Sequence, residues 1–351
     1  MISLLLNCSL LHAQQNAAQG QIEAGTQPGS PATNDLGSAS NIQNIPELYP
    51  GELSDFGTQR IVQRKEHRKW VELNLDWQAG YTDNYLLTNV LSPSVAGGKP
   101  ETTQMVSTWD AAFAPDAFNY GGIKLLPRVG FRESFWNYGI GTGQNSNFAA
   151  FDFDTQTVYG DLKGIFADDW SATVGADWTR IDSSNTSSEI YRQYGPHWEV
   201  SKMFKVNDYN VFNLSLGQQF LFTEVQPLVG TVILDSNIYD RIQNTLTASY
   251  TWSPVDRLFV SPYYRLTHAY YIHYADAGVG AEVSEGRSDM TNTIGLITSY
   301  KFNDYFTGRV YVSYEKRYTT YSDPTVDPNN LNVPEYSKFD GGLGGAFTIR
   351  F

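Results

Sequence analysis

The sequence predicts an all-β fold, an antiparallel up-and-down barrel of about twelve strands behind a disordered N-terminal extension. Three observations lead there. The final sixteen residues, YSKFDGGLGGAFTIRF, alternate: Phe351, Ile349, Phe347, Gly345 and Leu343 share one face, and Arg350, Thr348, Ala346, Gly344, Gly342 and Asp340 the other. A period of two is the mark of a strand, and it recurs along the chain. Second, the segments are joined in turn by short and long polar connections. Third, with 41% hydrophobic residues and a mean hydropathy of −0.36, no apolar run reaches the ~20 residues of a membrane-crossing helix, yet aromatic residues make up 14% of the chain, with 23 Tyr and 8 Trp. A strand-built membrane span reconciles these facts, because a closed sheet satisfies its own backbone groups and wears girdles of aromatic residues.

The elements follow in order. MISLLLNCSLLHAQQ is a short apolar segment ending in small Ala13, which reads as a secretory signal over residues 1–13, though it carries no Lys or Arg. Cys8 is the sole cysteine and falls within it, so no disulfide or thiolate chemistry is expected of the mature chain. Residues 14–60, rich in Gln, Asn, Ser, Gly and Pro, fit a flexible periplasmic extension. Within it, Leu48, Tyr49 and Phe56 offer a docking segment among prolines. Arg64, Lys65, His67, Arg68 and Lys69 then crowd the entry to the first strand, a basic patch suited to solvent or to anionic headgroups. Residues 61–351 form the barrel domain.

Short connections at 115–121, 166–170, 205–209, 253–257 and 302–305 each hold Asp or Asn, the residues of tight turns. Long ones at 82–104, 138–147, 182–189, 223–241, 275–287 and 322–334 complete the count. Parity assigns faces. The first strand turns Val71, Leu73, Leu75, Trp77, Ala79 and Tyr81 one way, and Glu72, Asn74, Asp76, Gln78 and Gly80 the other. A charge facing lipid at mid-membrane costs about 2–4 kcal/mol, so the charged parity is the inner one. Glu133 and Lys202 fall on the apolar parity, where a bulge or a position near the interface is expected to accommodate them, and so does His268, where a bulge is expected.

With its short turns, long loops and terminal aromatic Phe351, the chain resembles the bacterial outer-membrane β-barrels, and among them the porin-like class. The resemblance covers roughly residues 69–351. It implies an outer-membrane location in a Gram-negative bacterium, contact with outer-membrane lipids, and recognition of Phe351 by the barrel-insertion machinery. Glu72, Asp76, Asp110 and Asp340 are expected to form an acidic inner wall, and Arg128, Arg132, Arg265, Lys301, Arg309 and Arg317 a basic one. Opposed walls of this kind orient charged solutes. Inner tyrosines such as Tyr263, Tyr271 and Tyr311 suit sugar faces, and the number of strands and the lumen arginines resemble small channels for acidic oligosaccharides.

The function these features point to is passive diffusion of small hydrophilic solutes, oligosaccharides among them, through a charged lumen. The competing reading is a closed barrel whose charges only pair, serving as an envelope scaffold, an adhesin or an accessory to polysaccharide export. A surface hydrolase is the third, and would need a histidine with a nucleophile or carboxylate; His273 near Asp276 is the best placed. No cofactor and no metal is expected, and a net charge of −13 argues against nucleic acid.

Overall fold

The computed structural model describes residues 69–84, 101–140, 151–166, 169–207, 209–225, 236–237, 239–272, 286–321 and 335–351. The expectations for the signal, the extension, its basic patch up to Arg68, and His273 with Asp276 lie outside those residues. The strands are β1 (Val71–Thr82), β2 (Thr102–Phe113), a short β3 (Phe118–Tyr120), β4 (Ile123–Tyr138), β5 (Phe153–Ile165), β6 (Trp170–Ser183) and β7 (Glu189–Asn207). They continue as β8 (Asn210–Val225), β9 (Arg241–Val255), β10 (Leu258–Tyr271), β11 (Arg287–Lys301), β12 (Phe306–Tyr321) and β13 (Tyr336–Arg350).

Neighbours in sequence pair antiparallel, except that β2 pairs with β4, and the ring closes where β1 meets β13 in a register running from Glu72↔Arg350 to Thr82↔Asp340. The result is a closed barrel of twelve strands plus one extra strand. That extra strand corrects the sequence reading of 115–121 as a plain turn. Phe118–Tyr120 folds back on β4, with Tyr120 opposite Ile123. The intervening Gly121 and Gly122 both take positive φ, +57° and +84°, as a type I′ hairpin turn requires. Two of the other short connections use an Asn as their content predicts. The Asn303 carboxamide oxygen accepts from the N–H groups of Tyr305 and Phe306, each at 2.8 Å, and Asn207 does the same for Tyr209 at 2.9 Å.

The faces fall as parity dictates. Leu73, Leu75 and Trp77 on β1, Val310, Val312 and Tyr314 on β12, and Leu343 and Phe347 on β13 are exposed outward. At the short-turn end, Trp70 packs edge-on to Phe113 with centroids 5.8 Å apart, and Phe302 stacks on Phe306 at 5.4 Å; such aromatics form the girdle at a lipid–water boundary. Lys202 and Glu133 stay outward with no bulge at either position, which corrects half of the expectation for them. Lys202 sits at the short-turn end with its ammonium over Trp170 (5.2 Å) and Phe204 (5.7 Å), while the Glu133 carboxylate accepts from Gln156 at 3.3 Å. His268 also keeps the outward parity, in unbroken register on both sides, so the bulge expected there is absent; its ring is bonded to the Ser288 hydroxyl at 2.8 Å.

At the long-loop end the inner face is closely packed, with an apolar cluster set among buried polar groups such as Arg287 and Asp289. Tyr138, Phe153, Ile181, Tyr191 and Tyr271 are buried in one cluster, with Trp136 stacked on Phe153 at 5.4 Å. The barrel therefore has two unlike ends. Its inner face is wet and charged below, and packed above.

Candidate functional site

The inner face is where alternation places most of the polar side chains that lipid would reject, so it is the place to look for function. On β2, Asp110 is 7% exposed and gathers three donors: Arg128 Nη2 at 3.0 Å and Arg132 Nε at 3.1 Å from β4, and the Tyr159 hydroxyl at 2.9 Å from β5. The Tyr159 ring lies 5.3 Å from both guanidinium carbons. It can lie there because the residue between the two arginines is Gly130, where a Cβ would stand 2.5 Å from the ring. Glu72 on β1 accepts from Arg350 Nη2 at 2.6 Å, from Asn74 at 2.8 Å and from Arg128 at 3.4 Å. Asp76 accepts from Arg309, which reaches it across β13 over Gly344.

The same construction recurs around the ring. His197 on β7 places Nε2 3.0 Å from Asp161 on β5 and Nδ1 3.4 Å from Asp177 on β6, passing over Gly175. Gln219 on β8 donates to Asp177 at 2.9 Å across Gly195. Tyr263 lies over Gly295, and the Tyr311 hydroxyl lies against Gly80 and Gly342. Nearer the long loops, Asp289 receives Arg287 at 2.6 Å, Thr319 at 2.8 Å and Arg317 at 3.8 Å. Lys338 pairs with Asp340 at 2.9 Å, and Glu315 accepts from Thr293 at 3.1 Å and from Tyr336.

The opposed acidic and basic walls expected from the sequence are not what forms. Acids and bases interleave, and each of the described ion pairs of the inner face joins residues on one strand, on adjacent strands or on next-but-one strands. The reason is reach. An arginine laid along the wall finds a carboxylate one or two strands away, within the length of its side chain. Of the ten charged residues expected at the lumen, Glu72, Asp76, Asp110, Arg128, Arg132 and Arg309 are brought together in one hoop spanning the seam. Arg317 and Asp340 belong to the upper clusters. Lys301 stands at the short-turn rim, paired with Asp304 at 3.1 Å. Arg265 sits apart on β10 beside the Tyr263 ring, 5.6 Å away. Phe351 is exposed and exchanges backbone hydrogen bonds with Val71 at 2.9 and 3.2 Å.

His197, Tyr159, Asp289 and Lys338 were missed by sequence reasoning. Inner parity marks each of them, but their partners sit on neighbouring strands at offsets that only the register supplies. Among the described residues no group of three His, Cys, Asp or Glu could hold a metal ion, and the partners of His197 are carboxylates and the Gly195 carbonyl rather than a nucleophile.

A closed antiparallel ring of twelve strands, apolar outside and polar within, with short turns at one end, is the architecture of a membrane-spanning β-barrel. By sequence the chain matches no protein-family model and no curated protein. By structure it is similar to an outer-membrane channel from Pseudomonas putida F1, at 9% identity and a TM-score of 0.48 over 80% of this chain and 96% of that one. It is also similar to the β domain of the Bordetella autotransporter BrkA (11% identity, TM-score 0.42, 80% of this chain and all of that one) and to the KdgM porin solved with disordered oligogalacturonate (11%, TM-score 0.37, 78% and 98%).

Proposed function

We propose that the chain is a channel through which small hydrophilic solutes diffuse passively across the outer membrane, and that it is not an enzyme. One observation carries the reading: the long inner side chains at mid-height lie tangentially, seated over glycines and paired along the wall, so the barrel axis is not spanned by a described ion pair. They leave a charged but nearly neutralised wall, suited to polar solutes. Arg128 and Arg132 keep about a third of their side-chain surface open at 33% and 36%, while Arg287 and Asp289 keep 5% and 3%. The passage therefore widens toward the short-turn end, the periplasmic one in barrels of this kind.

The packed outer cluster favours a second reading, a barrel closed at its outer mouth that serves as an envelope scaffold. Single-channel recording separates the two. The folded full-length chain in a planar bilayer under a KCl gradient is expected to give stable open steps. Silence from protein whose folding is verified by heat-modifiable gel mobility would reject the channel and leave the scaffold.

A further inference from the structure

Six described arginines of the inner face meet a carboxylate: Arg128 and Arg132 at Asp110, Arg309 at Asp76, Arg350 at Glu72, and Arg287 and Arg317 at Asp289. Arg241 donates to the Tyr239 carbonyl. Arg265 has neither kind of partner. It is 6% exposed, its contact is the Tyr263 ring, and its buried Nε meets no acceptor. Its partner in register on β9 is Thr247, 7% exposed, whose hydroxyl is equally unpartnered. Buried donors left unsatisfied are rare because each costs about 1–3 kcal/mol, and two of them opposite each other on one ladder rung define a place built for an acceptor from outside the chain.

We propose that Arg265 and Thr247 form an anion station that takes the carboxylate of a hydrophilic solute, a reading that rests on the channel only for how the solute arrives. A guanidinium N–H and a hydroxyl O–H serve the two oxygens of one carboxylate, and a charge-assisted contact of this kind is about twice as strong as a neutral one. The neighbouring acid favours a monoanion. Along the rung Arg265↔Thr293↔Glu315, the Glu315 carboxylate stands two strands away and already accepts from Thr293 and Tyr336. No described ion pair joins it to Arg265, so the guanidinium donors stay available to a ligand, while its charge offsets part of what a second negative charge would gain there. Tyr263, kept flat by Gly295, offers its ring to the carbon skeleton of the ligand.

The test is equilibrium binding of acetate to the folded full-length chain in detergent micelles, read by saturation-transfer NMR, with acetamide as its uncharged isostere and inorganic phosphate as a competing dianion. Acetate is expected to bind at least tenfold more tightly than acetamide or phosphate. Arg265→Gln is expected to weaken acetate at least tenfold and Thr247→Val about three- to tenfold, while Arg265→Lys retains most of the affinity and guards against loss of fold. Arg257→Gln, in an exposed turn, is expected to change nothing. Absence of acetate saturation in folded wild type, equal binding by Arg265→Gln, or preference for phosphate overturns the proposal. Silence in the bilayer with acetate binding intact would reject the channel alone.

Discussion

Asp110 shows how a single residue sets the character of the wall. Two guanidiniums and a phenol converge on it, and its carboxylate is what keeps the pair Arg128 and Arg132 from acting as an exposed positive patch. Asp110→Asn is expected to shift the reversal potential of the channel toward anions and to lower the urea midpoint by an amount equivalent to about 1–3 kcal/mol, modest because both arginines can reach lumen water. The glycine seats make a second prediction. Gly295→Val would place methyl groups where the Tyr263 ring now lies, so the ring swings toward the axis, and conductance is expected to fall while gel mobility of the folded form is unchanged. Which parity of a strand faces inward was legible where its charges fall on one side, as on β1 and β13. The partners were not. Asp110 and Tyr159 lie 49 residues apart, and what joins them is the stagger of β2, β4 and β5, a property of the closed ring rather than of any one segment.

Strand β13 carries the clearest element-scale signal and the sharpest test of the membrane assignment. Leu343 is outward at 54% exposure, so Leu343→Arg is expected to cost about 2–4 kcal/mol in lipid vesicles, measured by urea unfolding, if this height lies near the bilayer midplane. The polar face of the same strand tolerates Arg350 because Glu72 receives it. Off-parity charges were legible as exceptions, but not their cure. Lys202 needs no bulge because it is near the turn between β7 and β8, with two aromatic rings beneath its ammonium. The β3 hairpin was hidden for another reason. Asp116 and Asn119 advertise a turn, and the Gly121–Gly122 pair that makes it a two-residue hairpin lies just beyond the segment where that signal is strongest.

For the whole molecule, the difference between the two ends matters most. The long-loop end holds the apolar cluster and the Arg287–Asp289 pair, while the short-turn end is wet. If the outer cluster limits passage, Tyr271→Ala, which removes a ring that is fully buried there, is expected to raise single-channel conductance, whereas an equal truncation of an outward tyrosine such as Tyr264 should leave it unchanged. Fold class and the even number of ring strands were legible from the alternation of short and long connections. The unlike ends were not, since Phe153, Ile181 and Tyr271 lie on three strands far apart in sequence and only ring closure brings all three together.

The seam between β1 and β13 has a temporal consequence. Val71 and Phe351 exchange their backbone hydrogen bonds, so the first strand waits for the last residue before either has its full set of neighbours. Until then every partial ring carries two raw sheet edges, each a template for a stray strand from another copy. Losing even the final strand would not shorten this barrel. It would leave an open, adhesive ribbon with two unpaired edges.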